Sequence, residues 1–180
     1  GGGSATRAHA VTPHGSALVG LATTPGGDLA LLWGAASGAA TLGDLGGSAF
    51  ASEAFDVSAD GAVAVGTGAS AAGHEAFRWT AAGGLSPLGD LAGGLFESKG
   101  SGVSADGSIV VGTGSSAAGE QAFRWTQGGG MVGLGDLPGG AYGSEGLGVS
   151  ADGSVVVGST AGPSGTVAFR WTQGGGMVGL

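Results

Sequence analysis

The chain contains no cysteine, so neither a disulfide nor a thiolate metal site can staple its fold. Charge is also scarce. Only 10% of the 180 residues are charged, and 5 basic against 13 acidic side chains leave a net charge of −8. The basic residues Arg7, Arg78, Lys99, Arg124 and Arg170 are scattered along the chain. They form no stripe that could release counterions from phosphate, which argues against nucleic acid and against anionic membrane surfaces as partners. No apolar run approaches the ~18 residues of a spanning helix, so no membrane span is expected. The opening GGGSATRAHA has neither an initiator Met nor the apolar stretch of a signal peptide, and is read as the start of a mature or excised fragment. Sustained 3.6-residue periodicity is missing throughout, which removes helical folds.

Glycine is what the chain has most of. With 45 Gly and 5 Pro, a little over a quarter of the positions are structure breakers. Without a period, that share would read as low complexity. Collagen is excluded because no G-X-Y triplet is sustained, and acidic disorder does not fit 42% hydrophobic residues and four Trp.

The glycines are periodic. Trp33, Trp79, Trp125 and Trp171 stand 46 residues apart, and the same step relates Val19, Val65, Val111 and Val157. Gly1 shares a column with Gly47, Gly93 and Gly139. The chain therefore reads as one repeat domain, 1–180, of four units at about 1–46, 47–92, 93–138 and 139–180. The last unit shows four strand-like runs: EGLGVS (145–150), SVVVGS (154–159), VAFRWT (167–172) and MVGL (177–180). SADG at 58–61, 104–107 and 150–153 carries an Asp and a Gly suited to a hairpin turn, and QGGG at 127–130 and 173–176 does similar work.

Four antiparallel strands in a 46-residue repeat predict an all-β protein, a β-propeller of four blades. The apolar second strand, Val155-Val156-Val157, suits a sheet covered on both faces. A parallel β-solenoid is the rival, but it lacks two tight hairpins per repeat. One column bears on closure: Arg7, Glu53, Lys99 and Glu145 alternate in sign, a pattern that only an even, closed ring satisfies across the seam from Glu145 to Arg7. The plain alternative is four solvated strand-end residues.

The strings GVSADGSVVVGST and VAFRWTQGGGMVGL, with GDLPGG at 135–140, resemble the HAF family of extracellular repeats. The family's His-Ala-Phe appears here as Glu75-Ala76-Phe77, Gln121-Ala122-Phe123 and Val167-Ala168-Phe169, with Leu29-Ala30-Leu31 in unit 1. Unit 1 departs further, with LLWG for FRWT and TPHG for SADG. The resemblance implies a secreted or surface-displayed bacterial protein and brings no catalytic residue with it.

Candidate chemistry is thin. Asp60, Asp106 and Asp152 recur in SADG, but one carboxylate per hairpin falls short of the oxygens calcium takes, and turn chemistry explains them. Asp44, Asp90 and Asp136 of the GDL link and Arg78, Arg124 and Arg170 of the third strand read as a structural carboxylate–guanidinium pair, or else as a ring of ligand sites. A sialidase reading fails because Gly directly follows the Asp, no Trp follows, and Tyr142 is the only Tyr. His9, His14 and His74 occupy three different columns, and no metal or nucleophile constellation is visible. The Trp column reads as core packing, or alternatively as sugar-stacking platforms. No catalytic, cofactor or metal residue is assigned, and no cofactor is expected. The functional expectation is a non-catalytic extracellular or cell-surface scaffold that binds a protein or glycan. The alternative is a multivalent, lectin-like propeller, and exposed terminal strands make self-association through the terminal blades a further expectation.

Overall fold

A computed structural model of the chain describes residues 5–47 and 50–180. It is all-β, with sixteen strands and no helix among the described residues. Unit 1 holds β1 (Thr6–Val11), β2 (Ala17–Thr24), β3 (Gly27–Gly34) and β4 (Gly38–Thr41); unit 2 holds β5 (Phe50–Val57), β6 (Val63–Ala69), β7 (His74–Thr80) and β8 (Gly84–Pro87). Unit 3 holds β9 (Gly93–Val103), β10 (Ile109–Ser116), β11 (Gly119–Thr126) and β12 (Gly130–Gly133); unit 4 holds β13 (Ser144–Val149), β14 (Val155–Gly162), β15 (Gly165–Thr172) and β16 (Gly176–Gly179). The four runs read in the last unit fall on β13 to β16, with ends shifted by at most three residues.

Each unit is an antiparallel meander in which every strand pairs with the next. The turn chemistry is as the sequence predicts, with one refinement. Gly61, Gly107 and Gly153 adopt φ near +70°, whereas no non-Gly residue has positive φ among the described residues. The Asp of SADG therefore works through its side chain and leaves the left-handed conformation to the glycine that follows.

The first strand of each unit carries an irregularity in its pairing with the second, at Ala8/Ala10, Ala54/Asp56, Gly100/Gly102 and Gly146/Gly148. Beside it lies Gly20, Gly66, Gly112 or Gly158, where a Cβ would overlap the carbonyl oxygen of Arg7, Glu53, Lys99 or Glu145. That column is glycine in every unit because the bulged backbone occupies the space a side chain would need.

The units stack face to face. First strands neighbour one another (β1 with β5, β5 with β9, β9 with β13) and line the inside, while the fourth strands pair only with the third and form the rim. Three cores lie between units. Val19 and Ala30 meet Val57, Ala64 and Phe77; Val63, Val65 and Ala76 meet Val103, Val110 and Phe123; Ile109, Val111 and Ala122 meet Val156 and Phe169. Phe77, Phe123 and Phe169 are completely buried.

The closed four-membered ring is not what the structure adopts. A ring of four needs a fourth core between units 4 and 1, and none forms among the described residues. Val19, Val65 and Val111 are fully buried, yet their counterpart Val157 is 45% exposed. The seam pair Glu145–Arg7 is likewise not formed, and Glu53 Oε1 instead meets His9 Nε2 at 2.7 Å. Lys99 instead sits 4.0 Å over the Phe55 ring. Gly1 of the glycine column lies outside the described residues.

Candidate functional site

The polar residues that recur once per unit are held by backbone groups. Ser58, Ser104 and Ser150 donate their hydroxyls to Asp60, Asp106 and Asp152 at 2.5–2.6 Å, and each carboxylate also accepts a backbone N–H two residues on. These donors stabilise the charged form: Asp60 is held below its ordinary pKa, and Asp106 and Asp152 are lowered to about 2, chiefly by Ser104 and Ser150. In each case it is Oδ1 that the turn itself engages, and Ser154 also reaches Oδ2 of Asp152.

The expected Asp–Arg pair does not form. Asp90 accepts N–H bonds from Leu91 and Glu97, and Asp136 accepts them from Leu137 and Gly143, all at 2.8–2.9 Å; Thr160 also donates its hydroxyl to Asp136. Arg78 reaches the other way, donating from Nε to the carbonyl of Gly107 in the next unit at 3.1 Å. Asp90, Asp136 and Arg78 thus each tie a side chain to backbone, because a loop carbonyl or N–H needs a partner more than two solvated charges need each other, whereas Arg124 and Arg170 border a hollow.

A further column escapes a reading by residue type. Ser52, Ser98 and Ser144, all at most 4% exposed, accept the N–H of Ala30, Ala76 and Ala122 and donate to the carbonyls of Gly43, Gly89 and Gly135 in the preceding unit. One hydroxyl thereby joins the third strand and the outgoing link of one unit to the first strand of the next. Recurrence at the 46-residue step was the available signal. Asp56 adds a cross-unit bond that belongs to unit 2 alone, accepting from Val103 N–H at 2.9 Å; burial raises its pKa despite that bond and the one from Val57.

Clefts open along the edge where the chain crosses from one unit to the next. Between units 3 and 4 a cleft of about 210 Å³ is lined by Glu97, Lys99, Ser101, Glu120, Glu145 and Leu147 among others. Its neighbour, about 180 Å³, adds Ser159, Thr160 and Thr166. Leu95 (76% exposed) and Phe96 (40%) stand at the start of β9 and Tyr142 (42%) on the link into β13, and Gln121 donates to the Tyr142 hydroxyl. No cluster of three His, Cys, Asp or Glu able to hold a metal occurs among the described residues. His9 pairs with Glu53, His14 occupies the turn of unit 1, and His74 borders the corresponding cleft between units 1 and 2, so the three are not brought together.

No protein-family model matches the chain, and no curated protein sequence does. Solved structures do. The structure of putative TolB from Agrobacterium tumefaciens superposes with a TM-score of 0.70 at 17% identity, covering 97% of this chain and 64% of that one. TolB from Acinetobacter baumannii gives a TM-score of 0.65 at 16% identity, covering 94% of this chain and 41% of that one. The fold is that of a TolB-like β-propeller. The chain spans less than two thirds of the length of either neighbour, and at this identity the likeness concerns fold alone.

On that fold the Trp column falls between its two expected roles. Trp79, Trp125 and Trp171 are half-buried, each packed on a core shared with the preceding blade. Trp171 also borders a hollow of about 460 Å³ with Arg124, Asp152, Arg170 and Gln173.

Proposed function

We propose that this chain is a non-catalytic interaction scaffold, displayed outside the cell or on its surface, that engages a protein partner through the crossover end of the propeller. The supporting observation is where its side chains are committed. The Ser and Asp columns that could carry chemistry are bonded to turns and links, as is Arg78, while Leu95, Phe96 and Tyr142 are exposed and Glu97, Glu120 and Glu145 line the cleft between units 3 and 4. Aromatic anchors next to acidic groups suit a partner with an apolar surface rimmed by Lys or Arg. The extracellular setting rests on the HAF-like strings in the sequence.

The test is affinity capture from envelope and secreted fractions with the native chain and with a Phe96→Ala, Tyr142→Ala double variant whose melting is unchanged. Loss of the same captured protein from the variant supports the assignment, and equal capture by both overturns it. A second reading, carbohydrate binding, is favoured by the hollow beside Trp171. Glycan-array signal that disappears in Trp171→Ala would replace the first reading with this one.

A further inference from the structure

The three internal junctions are built to one plan, and the third departs from the other two at the end where the SADG and QGGG turns lie. Those turns share an end because Val155 and Gly176, which follow them, both pair with Thr172. There a hollow of about 180 Å³ opens between blades 3 and 4, lined by Arg124, Thr126, Val132 and Leu134 of blade 3 and by Trp171 and Gln173 of blade 4. Both walls belong to an internal junction. The 46-residue step gives the matching positions elsewhere: Arg78, Thr80, Ser86, Leu88, Trp125 and Gln127 between blades 2 and 3, and Leu32, Gly34, Ala40, Leu42, Trp79 and Ala81 between blades 1 and 2. The first junction thus lacks the polar groups, and the second commits its arginine, since Arg78 Nε donates to Gly107 O at 3.1 Å. The third sets Arg124, which has no such bond among the described residues, beside an apolar wall. Val132, where blade 2 has Ser86, is 57% exposed, Leu134 is buried and Trp171 is half-buried. Asp152 borders the adjoining hollow with Arg124, but its Oδ1 is held by Ser150 and Ser154, and no ion pair joins the two among the described residues.

We propose that this hollow takes the carboxy-terminal residue of a partner polypeptide, one with a branched aliphatic side chain. Arg124 is the group for its carboxylate, because a guanidinium presents paired N–H donors in the geometry a carboxylate accepts. No Asp or Glu is among the described residues that line the hollow. Val132, Leu134 and the Trp171 ring supply the wall for the side chain, and a cavity of about 150 Å³ is already large enough for a benzene-sized group. The Thr126 hydroxyl and the Gln173 amide offer a donor and an acceptor to the peptide group that precedes the carboxylate. A simple aliphatic acid has no such group, which singles out a chain end. The site lies at the opposite end of the stack from the crossover clefts and is independent of what those bind.

The test is a nuclear magnetic resonance titration of the native chain with acetyl-Ala-Ala-Leu bearing a free carboxylate, and with the same peptide capped as its amide, each to about 10 mM. The expected result is saturable shifts of the Trp171 indole N–H and the Gln173 side-chain amide with the free peptide, and binding of the capped peptide weaker by about tenfold or more. Arg124→Gln should weaken the free peptide by about the same factor and leave the capped one unchanged, while Arg78→Gln changes neither. Absence of a saturable shift at Trp171 overturns the proposal. Equal affinity of the native chain for the two peptides overturns it as well, whether or not Arg124→Gln folds. If 4-methylpentanoate binds as tightly as the free peptide, the hollow is a site for small aliphatic acids and the polypeptide assignment is overturned.

Discussion

Replacing Ser98 with alanine tests the reasoning about the blade junctions most directly. The change removes one oxygen and no apolar contact, yet it orphans two backbone groups: the N–H of Ala76, a fully buried residue, and the carbonyl of half-buried Gly89. An unpartnered buried backbone group costs about 1–3 kcal/mol, and water can reach Gly89 more readily than Ala76, so the expected loss is about 2–4 kcal/mol. For a chain of this length that corresponds to a fall in Tm of roughly 5–15 °C. Urea unfolding followed by tryptophan fluorescence reads the loss directly, provided the slope is unchanged between variants. The control is Ser86→Ala in β8, an exposed position that should stay within about 0.5 kcal/mol of the native chain. If Ser98→Ala also stays within that margin, the hydroxyl bridge does not hold the blades together.

Three further outcomes follow from the same geometry. Gly112→Ala sets a Cβ against the Lys99 carbonyl and the Phe123 ring, and backbone cannot yield as a flexible side chain would, so a loss of about 3 kcal/mol or more is expected by denaturant unfolding. Gly128→Ala, in open space and without positive φ, should instead gain about 0.4–1 kcal/mol by narrowing the unfolded ensemble. Asp106 and Asp152 have pKa values lowered to about 2, so their contribution to stability is present above the ordinary carboxylate pKa and is lost as pH falls through about 2. An Asp106→Asn, Asp152→Asn double variant should therefore melt below the native chain at pH 5 and converge with it near pH 2; a gap that stays constant with pH would refute the assignment.

Much of this molecule is legible in one dimension because its elements are local. SADG and QGGG close hairpins between strands only a few residues apart, and Gly61, Gly107 and Gly153 supply the positive φ those turns need. Legibility fails where partners lie in different repeats. Asp90 and Arg78 share a period, and a shared period looks like a pair; in space Asp90 serves Glu97 N–H and Arg78 serves Gly107 O. The alternation of Arg7, Glu53, Lys99 and Glu145 misled for the same reason, since Glu53 finds His9 and Lys99 finds Phe55. Ser98 is not legible in the sequence, because a serine in a strand advertises nothing until the buried N–H it satisfies is seen.

By itself the sequence determined the 46-residue unit, its four strands, its turns and the all-β class, since these depend on pattern and backbone preference within one repeat. Only the tertiary structure decided that the blades stop short of a closed ring, leaving Val157 and Val11 uncovered. Closure depends on the rotation from each blade to the next, and that angle is set by how side chains such as Phe123 and Val65 pack between sheets, a quantity the period does not encode.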